Sequence, residues 1–198
     1  MLLEQHPELL KETDNIDRCS VLHKWAEVGT LWPLQLLLEL NKPSVIDMVC
    51  SVDHQGRTPL HVACVHNKIS FVRELSVAYK QAGREASPDF EGCSLWSMRD
   101  NRGNTPFHLA LSHQHDDDKF LSEIMSEDPN VVHITNYAGE SPLFIAVYNG
   151  HAKVIMNILE LPDPKLIGMP LRNDGCTVLH VMFRCDGEEK TDRSFPQD

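Results

Sequence analysis

The chain has 198 residues, 41% of them apolar and 24% charged, with a formal charge of −11 from 18 basic and 29 acidic side chains. That composition suits one ordinary domain or a short repeat array and excludes wholesale disorder. A field of that sign repels phosphate backbones and anionic lipid, so no direct nucleic-acid binding is expected.

No apolar run approaches the ~18 residues of a membrane span. Met1–Pro7 has neither the basic nor the apolar segment of a secretory signal, so the expected location is the cytoplasm or the nucleus. Cys19, Cys50, Cys64, Cys93, Cys176 and Cys185 contain no C-x-x-C pair and are read as reduced thiols.

In chain order, Leu2 to Lys11 reads as the second helix of a repeat whose first half is missing, with Pro7 interrupting it. A recurring phrase then sets the organisation. Gly56-Arg57-Thr58-Pro59-Leu60-His61-Val62-Ala63 returns as Gly103-Asn104-Thr105-Pro106-Phe107-His108-Leu109-Ala110 and as Gly139-Glu140-Ser141-Pro142-Leu143-Phe144-Ile145-Ala146. Weaker copies are Ser20-Val21-Leu22-His23 and Thr177-Val178-Leu179-His180. The capping residues Ser20, Thr58, Thr105, Ser141 and Thr177 are separated by steps of 38, 47, 36 and 36.

Each copy has a physical reading. Glycine allows a positive φ at a turn tip. Thr or Ser caps a helix, and Pro fits its first position, where a missing N–H costs nothing. The Leu and Ala that follow at helical spacing face a neighbouring repeat. In the fourth copy Asn149-Gly150-His151 ends the first helix. A second is predicted from Ala152 to Glu160, with Val154, Ile155, Ile158 and Leu159 on one face.

The chain resembles the ankyrin repeat, a unit of ~33 residues built as turn, helix and helix around T-P-L-H-x-A. The resemblance runs over about residues 13–185 and implies an all-α ankyrin-repeat solenoid. About four full or partial repeats and truncated end repeats are expected, near 13–50, 51–99, 100–135, 136–171 and 172–185. It also implies that Thr58, His61, Thr105, His108, Thr177 and His180 hydrogen-bond within and between repeats, and that Phe144 removes that link in the fourth copy. The departures at both ends suggest a piece of a longer array or a truncated one. Residues 186–198 are polar and expected to be disordered.

The 47-residue step places an insertion at 80–98. It is expected to lengthen a finger between repeats. Its Phe90, Leu95 and Trp96 either fold back over the inter-repeat groove or meet a partner.

His113-Gln114-His115-Asp116-Asp117-Asp118 is the only run of metal-ligand residue types, and it is read as a solvated acidic turn. No G-x-S-x-G, Walker-type loop, H-E-x-x-H or G-x-G-x-x-G occurs. Neither enzyme activity nor a cofactor is therefore expected.

The resemblance implies instead a protein partner held on the concave face of turn tips and first helices. Arg57, His66, Arg102, Asn104, His113, Tyr137, Tyr148 and Arg172 are the candidates there. Arg57, Arg102 and Arg172 are read as a basic row at or beside the turn tips of stacked repeats. Gly139–Ala146 and Leu2–Leu9 resemble plant ankyrin–transmembrane proteins of defence and cell-death signalling. Arg99–Ala110 with Thr135–Gly139 resembles inhibitor-of-kappa-B (Cactus-like) proteins, including viral mimics, which mask Rel-family transcription factors. A bacterial effector scaffold is the third alternative.

Overall fold

The computed structural model describes residues 17–32, 34–35, 45–86, 94–113, 118–161 and 172–185. The expected Leu2–Lys11 helix, the polar tail, Phe90 and His115 to Asp117 lie outside these residues. Among the described residues the regular elements are helical: α1 Val21–Val28, α2 Val45–Val49, α3 Pro59–Val65, α4 Ile69–Ala86, α5 Pro106–Ser112, α6 Asp118–Glu127, α7 Pro142–Asn149, α8 Ala152–Leu159 and α9 Val178–Cys185. Two 3₁₀ turns, Leu95–Ser97 and Pro129–His133, lie on the connections that lead to the next turn tip.

Local chemistry sets these boundaries. Thr58, Thr105 and Ser141 stand in extended conformation and accept the N–H three residues on, with Pro at the first helical position. The turn glycines Gly56 and Gly103 take φ of +74° and +78°. They are also sites of close approach. A Cβ on Gly56 would lie 2.9 Å from the Asn101 amide nitrogen, and one on Gly103 would lie 2.7 Å from that of Tyr137. Each turn thus packs its glycine against the backbone of the next.

Stacking follows chain order. First helices pack α1 on α3, α3 on α5, α5 on α7 and α7 on α9; among the second helices α2 packs on α4 and α6 on α8. Leu60, Phe107 and Leu143 are buried between first helices, as their place after the proline requires. Arg73 and Glu123, 2.6 Å apart, and Lys80 and Glu127, 2.5 Å apart, bridge α4 to α6 on the surface. Exposed pairs of this kind contribute less than the apolar stack.

Two expectations are corrected. Leu179, expected between layers with the other three, is 64% exposed. No described helix packs on the far side of α9, so the side chain that follows the cap has nothing to bury against. In α8, Val154 and Ile158 are buried, but Leu159 lies on the exposed side.

The described ends of the insertion lie against the array. Its first part prolongs α4 to 18 residues, against 10 in α6 and 8 in α8. At its far end Leu95 and Trp96 are buried in the core. The Ser94 hydroxyl donates to the Asp128 carboxylate and accepts the Trp96 N–H at 3.2 Å, which ties this end to the following repeat. The two apolar residues described here therefore cover the groove.

Phe107 is fully buried among first helices on both sides. Phe107→Ala is expected to destabilise the array by about 3–5 kcal/mol, read as a lowered midpoint in urea unfolding. An unchanged midpoint would show that this side chain does not sit between repeats.

Candidate functional site

The turn row is built from one repeated hydrogen-bond design. In the second repeat the Asp53 N–H donates to the Arg57 carbonyl at 3.0 Å, and Asp53 Oδ1 accepts the N–H of Gln55 and Arg57 at 2.9 and 2.8 Å. Asp100 does the same with Arg102 and Asn104, and Asn136 with Ala138 and Glu140. These anchors are buried, so each carboxylate or carboxamide closes its turn instead of facing solvent. Burial pushes the Asp53 carboxyl up, but the Arg57 and Gln55 amides and the Arg57 guanidinium outweigh that and hold it below its ordinary value.

The imidazoles join one turn to the next. The Thr58 N–H donates to His61 Nδ1 at 3.1 Å, and the Thr58 hydroxyl lies 2.8 Å from the same nitrogen. That arrangement leaves the ring proton on Nε2, which donates to the Asn104 carbonyl of the following repeat at 3.1 Å. His23 reaches the Arg57 carbonyl at 2.8 Å and His108 the Glu140 carbonyl at 3.3 Å. Burial pushes His61 and His108 down to about 4 and lowers His23 as well. Phe144 stands at the equivalent place in the fourth repeat, and the link to Cys176 is absent as expected. Among the described residues His180 pairs with its own Thr177.

The candidates fall into two groups. Arg57 is clamped on Asp53, with Nε and one terminal nitrogen each 2.8 Å from Oδ2. Asn104 accepts from Asn136 Nδ2 at 2.9 Å and donates to Asp100. Arg172 lies 3.7 Å from Glu140 and 3.4 Å from Asp174. Tyr148 is half-buried against the core. His66 caps α3 and His113 caps α5; both side chains are exposed, with His113 Nδ1 2.9 Å from the Leu109 carbonyl. Arg102 and Tyr137 are the exposed tip residues of the set.

The expected basic row does not form. Arg57, Arg102 and Arg172 occupy the fifth, third and first positions of their turns, so stacking does not align them, and two of the three face carboxylates. Arg99 went unnoticed in the sequence. It donates to the Thr135 carbonyl at 2.6 Å and the Gly103 carbonyl at 3.2 Å, and its guanidinium stands 5.9 Å from the Tyr137 ring centre. Its place just before the Asp100 anchor was the available signal. His151 and Asn149 were likewise missed as ties: each donates to the Leu111 carbonyl at 2.9 Å. Among the described residues no group of three or more His, Cys, Asp or Glu is placed to hold a metal ion.

A stacked turn–helix–helix unit with a Thr–His clasp reaching the next turn is the ankyrin repeat, and the chain is an ankyrin-repeat protein; the ankyrin-repeat family model matches residues 55–87. Over 170 residues it is 26% identical to human B-cell lymphoma 3 protein, covering 80% of this chain and 32% of that one. Human SMC5-SMC6 complex localization factor protein 1 is 28% identical over 167 residues, 83% of this chain and 14% of its own length. Human Rabankyrin-5 is 35% identical over 86 residues, 41% of this chain and 7% of its own. The chain thus spans about a third of the first relative and less of the other two.

Two expectations follow. His61 and His108 titrate at about 4 in the fold, against 6.5 as the ordinary value. The unfolded chain therefore binds more protons between those limits. The stability these rings contribute is complete above about pH 6.5 and is lost as pH falls towards about 4. The unfolding free energy from urea titrations is expected to fall between pH 7 and pH 5, by up to about 1 kcal/mol per pH unit for each ring. His61→Gln should remove one ring's share of that slope.

The junction after Phe144 lacks the imidazole link, and Arg172 sits where an Asp or Asn anchors the other turns. Amides of α9 are expected to exchange with deuterium faster than those of α3, α5 and α7. Equal protection would show that α7 holds α9 as firmly as the earlier junctions hold.

Proposed function

We propose that this ankyrin array is a non-enzymatic binding module that holds a partner protein on its concave turn and first-helix face, in signalling or defence regulation. The observation that carries this reading is the division of labour at the tips. Asp53, Asp100 and Asn136 close the turns from inside, which leaves Arg102 and Tyr137 exposed on a row held rigid by backbone bonds. Arg and Tyr are residue types that dominate interface energies, and a pre-ordered backbone reduces the entropy lost on binding.

The domain reading of one array over 1–185 followed by a polar tail accompanies this proposal. The name of the second relative, a localization factor for a protein complex, supports an adaptor role of the same kind. Masking of a Rel-family factor is the finer alternative, and the Arg99–Ala110 phrase supports it.

The test places a photoreactive phenylalanine analogue at position 102 or 137, and at the exposed Lys153 of α8 as comparison, in lysate. Cross-linking to a protein from the two tip positions, and not from 153, is expected. Arg102→Ala with Tyr137→Ala should then weaken the captured complex by about 2 kcal/mol or more, roughly thirtyfold, by calorimetry. The fold should change by less than about 0.5 kcal/mol. Capture from position 153 alone would place the binding face on the second helices, and a Rel-family factor among the captured proteins would favour the finer alternative.

A further inference from the structure

The exposed surface of the turn tips differs in charge from the rest of the molecule. The chain carries −11 overall. Across the second, third and fourth turns, the exposed tip side chains are His54, Gln55, Asn101, Arg102, Tyr137 and Ala138, and none is a carboxylate. The acids of the first two of these turns point inward. Asp53 and Asp100 are buried, and each accepts two backbone N–H groups. Asp53 is further neutralised by Arg57.

Two guanidinium groups at the centre of this row keep their charge. Arg102 is exposed and pairs with no carboxylate among the described residues. Arg99 is also exposed, and its acceptors among the described residues, the carbonyls of Thr135 and Gly103, are neutral. Tyr137, on the next tip, is 64% exposed. Its N–H is bonded to the Arg102 carbonyl at 3.0 Å, and its ring lies against Gly103, where a Cβ would come within 2.7 Å of it. The aromatic ring is therefore fixed 5.9 Å from the Arg99 guanidinium, on a backbone bonded to that of Arg102. An approaching carboxylate meets attraction within the ~8 Å over which physiological salt leaves charges unscreened, while a basic segment meets repulsion there.

We infer that the Arg99–Arg102–Tyr137 patch binds an acidic protein segment, with a carboxylate on Arg102 and a neighbouring apolar side chain over Tyr137. This deepens the proposed binding role and rests on it. Arg–carboxylate pairing supplies direction and sign, and the ring supplies apolar area at little entropic cost. A nucleic acid offers the same negative charge with bases for the ring, but the −11 of the whole chain opposes a polyanion longer than the patch.

The test is a selection of random peptides of about a dozen residues by phage display against the full chain. Enriched peptides are expected to carry Asp or Glu next to an apolar residue. Their affinity should fall about tenfold or more on Arg102→Glu and on Tyr137→Ser, and should weaken as salt rises. Selection against the Arg102→Glu protein should turn towards Lys- and Arg-containing peptides. An unchanged melting temperature is the folding control, and Arg102→Glu alone suffices if Tyr137→Ser loosens the Gly103 contact.

Enrichment of basic or uncharged peptides that still compete at the tips would overturn the acidic specificity and leave the binding face standing. Acidic peptides indifferent to both substitutions, or no enrichment at all, would remove the tip row as the site. Tighter binding of an oligothymidylate than of any selected peptide would assign the patch to nucleic acid instead.

Discussion

The hydrogen bond from an imidazole Nε2 to the turn carbonyl of the next repeat is the constraint on which the rest of this structure depends. Arg57, Asn104 and Glu140 each present one carbonyl that accepts twice, from the anchor of its own turn and from the histidine of the repeat before. The second bond works only if the ring is neutral and its other nitrogen faces a donor. The capping hydroxyl and amide supply that environment at Ser20, Thr58 and Thr105. The cap that starts a helix thereby also sets the proton on the ring that joins it to its neighbour. Losing one ring leaves its acceptor carbonyl with the N–H of its own turn alone, so the loss would be felt at the junction and not only in its own helix.

That constraint governs which side chains remain for function. The anchors must lie inside the turn to accept two amides each, so the acids of the second and third tips are withdrawn from the surface. Where the fifth residue of the turn is Arg, Asn or Glu, its side chain is drawn into the same polar chain: Arg57 to Asp53, Asn104 to Asp100 and Asn136, Glu140 to Asn136 and Arg172. The two residues at each apex close no turn, although Asn101 and Asn173 each donate a side-chain bond to a carbonyl of the tip before. A molecule with an excess of acid thus presents a tip row without exposed acid in its middle, through the geometry of turn closure.

The insertion shows how a solenoid absorbs extra chain. A second helix prolonged to 18 residues buries Tyr79 and Ala82 beyond the usual helix length. The return to register is made by Leu95 and Trp96 inside the core and by Ser94 on Asp128 of the following repeat. Apolar burial and one polar tie hold the 47-residue repeat to the same stacking geometry as its neighbours of 38 and 36 residues.

By itself the sequence determined the repeat, its register, the caps, the turn glycines and the missing link at Phe144, because these depend on local backbone chemistry repeated at a near-constant spacing. The helix break at Asn149–His151 was legible for the same reason. Tertiary structure alone decided the rest. Residue type marks Arg57 and Arg172 as interface anchors, yet each lies beside a carboxylate, and the three tip arginines do not align because they fill different positions of the turn. Leu179 has the pattern of a core residue, but burial requires a neighbour, which the pattern does not contain. Arg99 and Tyr137 are 38 positions apart in the chain and meet only because one repeat stacks on the next. Spacing along a chain reports what a residue does for its own turn, whereas contact across a junction depends on the superposition of two turns.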